Sequence, residues 1–350
     1  MSSPGPRFAS RVVAWQLVHG RHDLPWQNSR DPYRVWLSEV MLQQTQVATV
    51  IGYFERFMAR FPDVHALAQA SQDEVMGQWS GLGYYSRARN LHRCAIEVVQ
   101  RWGGVFPGDA QALASLPGIG RSTAAAIASL CFGERVAILD ANVRRVLTRV
   151  LGFDADLASQ SNQQLLWDAA TDLLPRRDLS RAMPRYTQGM MDLGATVCLP
   201  RNPQCDRCPV RSGCGAFAQG RPQAFPVRSR TLRRSAQSVW LLWVRSSGRE
   251  SVWLQRRPSP GVWAGLHCLP WFDSRPELEE QVPPDYRAHL RDHPVFTHVL
   301  THKDLHLHPV QVDLPKSAFA SAAQGGGWFD ANAWPQLGLP APVRRILLQA

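Results

Sequence analysis

Two carboxyls and four thiols in this chain stand where chemistry would need them. Glu39 lies in the run Trp36-Leu37-Ser38-Glu39-Val40-Met41-Leu42. Helical spacing puts Val35, Trp36 and Leu42 on its own face, at i−4, i−3 and i+3. A carboxyl among such neighbours loses water and its pKa rises, which suits a general acid near neutral pH. A helix-surface glutamate with half-buried neighbours is the plainer alternative. Asp140 stands where an N-cap should, ahead of Ala141-Asn142-Val143-Arg144-Arg145. A capping carboxylate accepts backbone N–H bonds beside the positive end of the helix dipole and is expected to stay ionised. Capping alone would also account for it. Environments that drive two carboxyl pKa values apart assign acid and anion roles in glycoside cleavage. Linear spacing leaves open whether the two groups meet.

Four of the seven cysteines crowd into one loop as Cys198, Cys205, Cys208 and Cys214, a C-x6-C-x2-C-x5-C run. Four thiols so close imply a metal centre and a reducing cytoplasm, not a secreted disulfide framework. Two CxxC pairs would favour zinc. One pair with unequal flanking spacings leans toward a [4Fe–4S] cluster. Arg201, Arg207 and Arg211 in the same loop suggest that it faces a polyanion, unless they are simply solvated.

The elements around these groups read as helices. Asp31-Pro32 is a helix start, with Asp as cap and Pro in the first turn. That helix carries Glu39 and ends near Gln44, and another follows from Thr45 to about Arg60. Residues 63–102 read as two helices around Ser80-Gly81-Leu82-Gly83-Tyr84-Tyr85, a turn suited to a phosphate with an aromatic wedge beside it. Leu116-Pro117-Gly118-Ile119-Gly120 joins two apolar helical segments. The Gly118–Gly120 turn offers backbone N–H groups to a DNA phosphate, and Asp140 follows twenty residues later. Residues 161–196 read as helical again.

The chain has 350 residues, a net charge of +11 and an excess of arginine over lysine, which suits phosphate contacts. The first residues lack a secretory signal, and no stretch of about twenty apolar residues could span a membrane. The Pro- and Arg-rich stretch 219–236 reads as a linker between a helical domain over 1–218 and an α+β domain over 237–350. Beyond it, Val239–Val244, Ser251–Gln255 and Leu305–Val312 have the composition and alternation of strands. His306 and His308 fall on one face of the last strand. With His298 and His302 they have no clustered Cys or acidic partner, so no metal is expected there.

These motifs carry a resemblance. Leu24–Gln27, Trp36–Ile51, Gly81–Leu91, Leu116–Ala124, Ile138–Leu147, Gln188–Ala195 and the four-cysteine loop together resemble bacterial MutY-type adenine DNA glycosylases along nearly the whole chain. The resemblance implies an all-α helix-hairpin-helix domain with its hairpin at about 109–132 and its iron–sulfur loop at 198–214. A Nudix-like α+β recognition domain would follow. It implies a cytoplasmic bacterial monomer acting on double-stranded DNA with adenine opposite 8-oxoguanine or guanine. Glu39 matches the acid that protonates adenine at N7, and Asp140 the carboxylate that stabilises the oxocarbenium-like sugar. Base flipping follows, because the adenine must leave the stack.

Gln44 and Tyr84 match residues that probe or wedge beside the oxidised guanine, and Trp26 and Gln188 line the adenine pocket. Gln27 stands where some relatives have arginine. Ser122 stands where strand-cutting sister enzymes have a Schiff-base lysine and many relatives a tyrosine, which implies a monofunctional glycosylase. Leu300-Thr301-His302 is the nearest match to a Phe-Ser-His loop that detects the oxidised base, with His298 a competitor. No Nudix catalytic box is present, so this domain is expected to bind nucleotides and not to hydrolyse them.

Overall fold

The structure, a computed structural model, describes residues 4–27, 29–229, 234–320 and 325–349. Its main helices in chain order are α1 (Phe8–His19), α2 (Pro32–Leu42), α3 (Val47–Arg60), α4 (Val64–Gln69), α5 (Gln72–Trp79), α6 (Ser86–Trp102), α7 (Ala110–Ala114), α8 (Arg121–Ile127), α9 (Ala141–Leu151), α10 (Gln160–Asp172) and α11 (Leu179–Thr196). The expected pair of helices over 63–102 is three, because Ser71 caps a separate α5 by accepting from Glu74 N–H. The apolar segment after Gly120 forms α8 and then widens into a π-helical turn, Ala128–Phe132.

Local chemistry explains how the first unit is held. The Asp31 side chain accepts the Tyr33 N–H, and Pro32 takes the first helical position of α2. Trp36, Leu37 and Met41 on α2 are fully buried, Trp36 against Phe106 at 5.2 Å between centroids. Burying each such side chain is worth roughly 1.5–3 kcal/mol. Helix α11 carries Pro184 in its interior, which has no N–H for Ser180 O. Arg30 Nη2 donates to that oxygen instead, at 2.9 Å. Gly194 on α11 permits a close approach: a Cβ there would stand 2.7 Å from Asn142 Cβ, two residues beyond Asp140. The core under α9 and α11 includes Val143, Val146, Leu147, Met190 and Leu193.

The second unit is a mixed sheet. Strand β1 (Ser235–Ser246) is followed by β2 (Ser251–Arg256), β3 (His267–Cys268), β4 (Trp271–Phe272), β5 (Arg291–Asp292), β6 (Phe296–Val299), β7 (Lys303–Leu314) and β8 (Gly326–Asp330). The sheet order is β3-β2-β1-β7-β5. β1 and β7 run parallel in register from Ser235↔Lys303 to Ser246↔Leu314. Arg245 and Asp313 are register partners and form a two-bond ion pair at 2.8 and 2.9 Å, which disfavours slippage of the pair. Leu305 and Leu307 are buried on one face of β7, while half-buried His306 and His308 share the other face with buried Val310, Val312 and Leu314, as alternation requires.

The compact units do not follow a single cut at 219–236, of which 230–233 lie outside the described residues. One holds Met1–Ala68 and Arg93–Thr231, the other Gln69–His92 and Leu232–Ala350. The reason is side-chain packing across a long sequence gap. Met76 is buried, and a Cβ on Gly338 would lie 2.6 Å from its Cβ. Ser80 Oγ donates to Leu339 O, Arg89 Nη1 to Ala264 O, and Arg256 Nη2 to both Asp73 oxygens at 2.6 Å. No helix among the described residues is long and apolar enough to cross a membrane.

Candidate active site

A cleft of about 1070 Å³ opens within the first unit, and Glu39 and Asp140 both line it. Glu39 reaches it from α2 and Asp140 from the start of α9. Burial pushes the Glu39 carboxyl up to about 7, and the negative field of Asp140 adds to the shift. Asp140 caps α9 through a 2.6 Å bond from Val143 N–H. The expectation that this cap leaves Asp140 fully at ease as an anion needs correction. Burial is the largest influence on it and pushes its carboxyl up too. The N–H groups of Val143 and Asn142, then Arg145 and Arg144, pull it back down. The contrast between the two carboxyls is therefore one of counterweights: both are desolvated, and only Asp140 is surrounded by groups that favour its anion.

Trp26, Gln27, Gln44, Ser122 and Gln188 line the same cleft. Trp26 is buried edge-on against Phe54, at 5.4 Å. Both amide atoms of Gln27 are buried, and among the described residues neither has a hydrogen-bond partner. An orphaned donor and acceptor in a cleft wall cost free energy until an occupant pairs with them. Ser122 Oγ accepts the Leu139 N–H at 3.1 Å, which ties the start of α8 to the residue before Asp140. Gln44 has a left-handed backbone, φ 58°, directly after α2. Such strain in a non-glycine residue collects at functional sites. Gly118 (φ 76°) and Gly120 sit exposed in the turn between α7 and α8, while Leu116 and Ile119 are buried. The turn's backbone is thus open to a phosphate.

Tyr84, Thr301 and His302 belong to the second unit. Tyr84 also has a left-handed backbone, φ 49°, and is exposed, and its hydroxyl shares a 2.8 Å hydrogen bond with Thr301 Oγ1. His302 is exposed beside Thr301. His298 is half-buried against Trp263 at 5.7 Å, and burial pushes its pKa down.

The four loop cysteines line one small space with apolar walls that include Val146, Val150, Leu193 and Val210. Among the described residues no three Cys, His, Asp or Glu side chains close on a single point as ligands of one ion. A four-thiol cage around a common space suits a polynuclear cluster better than zinc. Arg149, 2 % exposed, organises this loop: it donates to Cys198 Sγ (3.3 Å), Leu199 O (2.7 Å) and Pro200 O (3.1 Å). Replacing it with Met would remove the shared donor of the Leu199 and Pro200 carbonyls and of Cys198 Sγ. Arg149→Met is accordingly expected to purify with fewer than the roughly four irons per chain of the parent and to melt earlier. Iron analysis with a thermal scan checks this, and full iron content with an unchanged melt would refute it.

Sequence reading missed two residues that shape this cleft. Asp192, fully buried, accepts from Arg21 and from Gln188. The i, i+4 spacing of Gln188 and Asp192 was the available signal. Arg145, which donates to Asn142 Oδ1, Gly194 O and Cys198 O, is the other.

Comparison with known proteins bears on this geometry. Residues 37–170 match the HhH-GPD superfamily of base excision DNA repair proteins, 198–214 the iron–sulfur binding domain of endonuclease III, and 239–349 a NUDIX domain. The adenine DNA glycosylase of Buchnera aphidicola subsp. Acyrthosiphon pisum (strain APS) is 33% identical, over 97% of this chain and 96% of that protein. The adenine DNA glycosylase of Mus musculus is 46% identical over 63% of this chain and 44% of its own length. Among solved structures, a thermostable thymine-DNA glycosylase superposes with a TM-score of 0.52 at 27% identity, covering 61% of this chain and 95% of its own.

Proposed function

The chain belongs to the adenine DNA glycosylases, and on that premise we propose that it releases adenine paired with 8-oxoguanine or guanine in duplex DNA, with Glu39 as acid and Asp140 as anion. That it is a DNA glycosylase, a hydrolase of N-glycosyl bonds in base excision repair, follows from the family itself. The same holds for its endonuclease III-type iron–sulfur loop, where Cys198, Cys205, Cys208 and Cys214 would hold a [4Fe–4S] cluster. Such a cluster would supply a rigid staple that ties the four cysteines of the loop together.

The single observation that carries the mechanism is that Glu39 and Asp140 line one cleft, where burial pushes the Glu39 carboxyl up to about 7. The flipped adenine takes the Glu39 proton at N7, so the C1′–N9 bond breaks with its electron pair leaving on the neutral base. Asp140 stabilises the cationic sugar directly or as a transient ester at C1′. Water then adds to C1′, its proton passes to Glu39, and an abasic site and free adenine remain. The orphaned amide of Gln27 supports a polar base as the occupant. The Gly118–Gly120 turn would take a backbone phosphate. Tyr84, joined to Thr301 and next to His302, would meet the base opposite, and Gln44 would reach toward the vacated space. His298, packed on Trp263, is less accessible to a base than Thr301.

The glycosylase is proposed to be monofunctional. Ser122 occupies the position of a Schiff-base lysine and its hydroxyl is engaged by Leu139. The chain's only lysines, Lys303 and Lys316, fall outside the unit that holds the cleft. A single-turnover assay on duplexes with adenine opposite 8-oxoguanine tests this reading. Alkali-labile sites are expected, with intact strands before alkali. Strand breaks without alkali would contradict the monofunctional assignment, and intact strands after alkali the activity itself.

A further inference from the structure

Two of the glutamines that line the cleft, Gln27 and Gln188, are treated differently by the protein. Among the described residues Gln27 has no partner for either amide atom. Gln188 is tethered: its Nε2 donates to Asp192 Oδ1 at 2.9 Å. Asp192 lies one turn further along α11, with a side chain that is 0 % exposed. Arg21 also holds it: its Nε donates to Oδ1 (2.7 Å) and its N–H donates to Oδ2 (3.1 Å). A carboxylate held in an ion pair only accepts hydrogen bonds. The Gln188 amide must therefore turn its NH2 group toward Asp192, and its Oε1 is left as the group it offers the cleft.

We propose that Asp192, locked by Arg21, is a positioning residue that fixes the polarity of Gln188, so that the cleft presents an acceptor to the 6-amino group of a purine. The inference rests on the reading of the cleft as an adenine site and goes beyond it by placing discrimination at position 6. Adenine carries a donor there. Hypoxanthine carries a carbonyl oxygen, which would face Oε1 lone pair to lone pair. Unsubstituted purine carries a hydrogen and neither gains nor clashes. A site built to pair with one hydrogen-bonding group rejects its polarity-reversed analogue strongly, because both partners are left unsatisfied. An untethered glutamine could rotate its amide and accept either base.

The test uses the full, iron-loaded chain in single-turnover release from three otherwise identical duplexes, with adenine, hypoxanthine or unsubstituted purine opposite 8-oxoguanine. Intrinsic differences in glycosidic lability cancel when the ratio in a variant is divided by the ratio in the parent. Asp192→Asn gives the Gln188 amide a partner that can both donate and accept. The adenine-to-hypoxanthine ratio is expected to fall at least tenfold, and Asp192→Glu is expected to restore part of it. A purely structural role for Asp192 would lower all three rates together, and that outcome would overturn the proposal. Should Asp192→Asn not fold, Gln188→Met removes the acceptor while leaving the Arg21–Asp192 pair in place. The same fall in ratio is expected there, and an unchanged ratio refutes the inference. A parent chain that releases no adenine from any duplex would instead remove the underlying reading, and this one with it.

Discussion

Glu39→Gln is expected to slow single-turnover adenine release by about 10²–10⁴-fold, the range for loss of a general acid, with mismatched-duplex binding kept. Glutamine preserves the shape and the hydrogen-bonding ability of the side chain but has no proton to give N7. The parent's pH profile carries the same signature. Activity requires Glu39 protonated, so it is expected to fall as pH rises through about 7. It also requires Asp140 ionised, and because burial pushes that carboxyl up, the acid limb should lie above the ordinary aspartate value of 3.8. The variant should lose the alkaline limb and be more stable than the parent above neutrality. A carboxyl whose pKa is raised by folding binds its proton more tightly in the native state, so its contribution is intact below the unfolded pKa of 4.5 and is lost as pH rises through the folded value of about 7. A variant that retained parental rates, or that melted earlier than the parent at pH 8, would sink the assignment.

Asp140→Asn is the second large effect and separates two roles of one side chain. Asparagine caps a helix about as well as aspartate, so α9 should stay intact and the melt should move little. The negative charge beside the developing sugar cation is gone, and the rate should fall by about a hundred- to a thousandfold, by analogy with deletion of a transition-state electrostatic partner. The acid limb of the pH profile should vanish from the residual activity. Asp140→Ala, by contrast, should add a stability loss of about 1 kcal/mol from the missing cap. If the two variants lost the same stability and Asp140→Asn kept most of its rate, capping would be the residue's whole function.

What was legible in the sequence was local. Asp31-Pro32 and Asp140 announce helix starts because a cap depends on the next three residues, and both caps are found. Glu39 was legible because its apolar neighbours share its own helix. The cysteine run was legible from spacing alone. Burial by distant segments was not. The rise in the Asp140 pKa comes from the whole cleft, and its local environment predicted the opposite emphasis. Asp192 reads as an ordinary helix residue until Arg21, 171 residues away, closes on it. The parallel pairing of β1 with β7 joins residues 68 apart, as in Arg245 with Asp313, and no periodicity encodes such a partner. Short β3, β4 and β5 have two residues each, too few to carry an alternating pattern.

The assignment of Gln69–His92 to the unit that otherwise begins after the linker has a consequence for biosynthesis. A ribosome releases α5 and the Tyr84 turn long before β1 exists, and at about 5–20 residues per second the wait is on the order of ten seconds. During that interval Val75, Met76 and Trp79, all buried in the finished protein, lack the segment around Gln336 and Gly338 that α5 packs against. The early-made segment is therefore a waiting guest in the nascent chain, and the last residues made, around Gly338 and Leu339, are among those that seat it. A truncation anywhere before them would do more than delete a C-terminal module: it would leave an apolar helix stranded beside the turn that holds Tyr84.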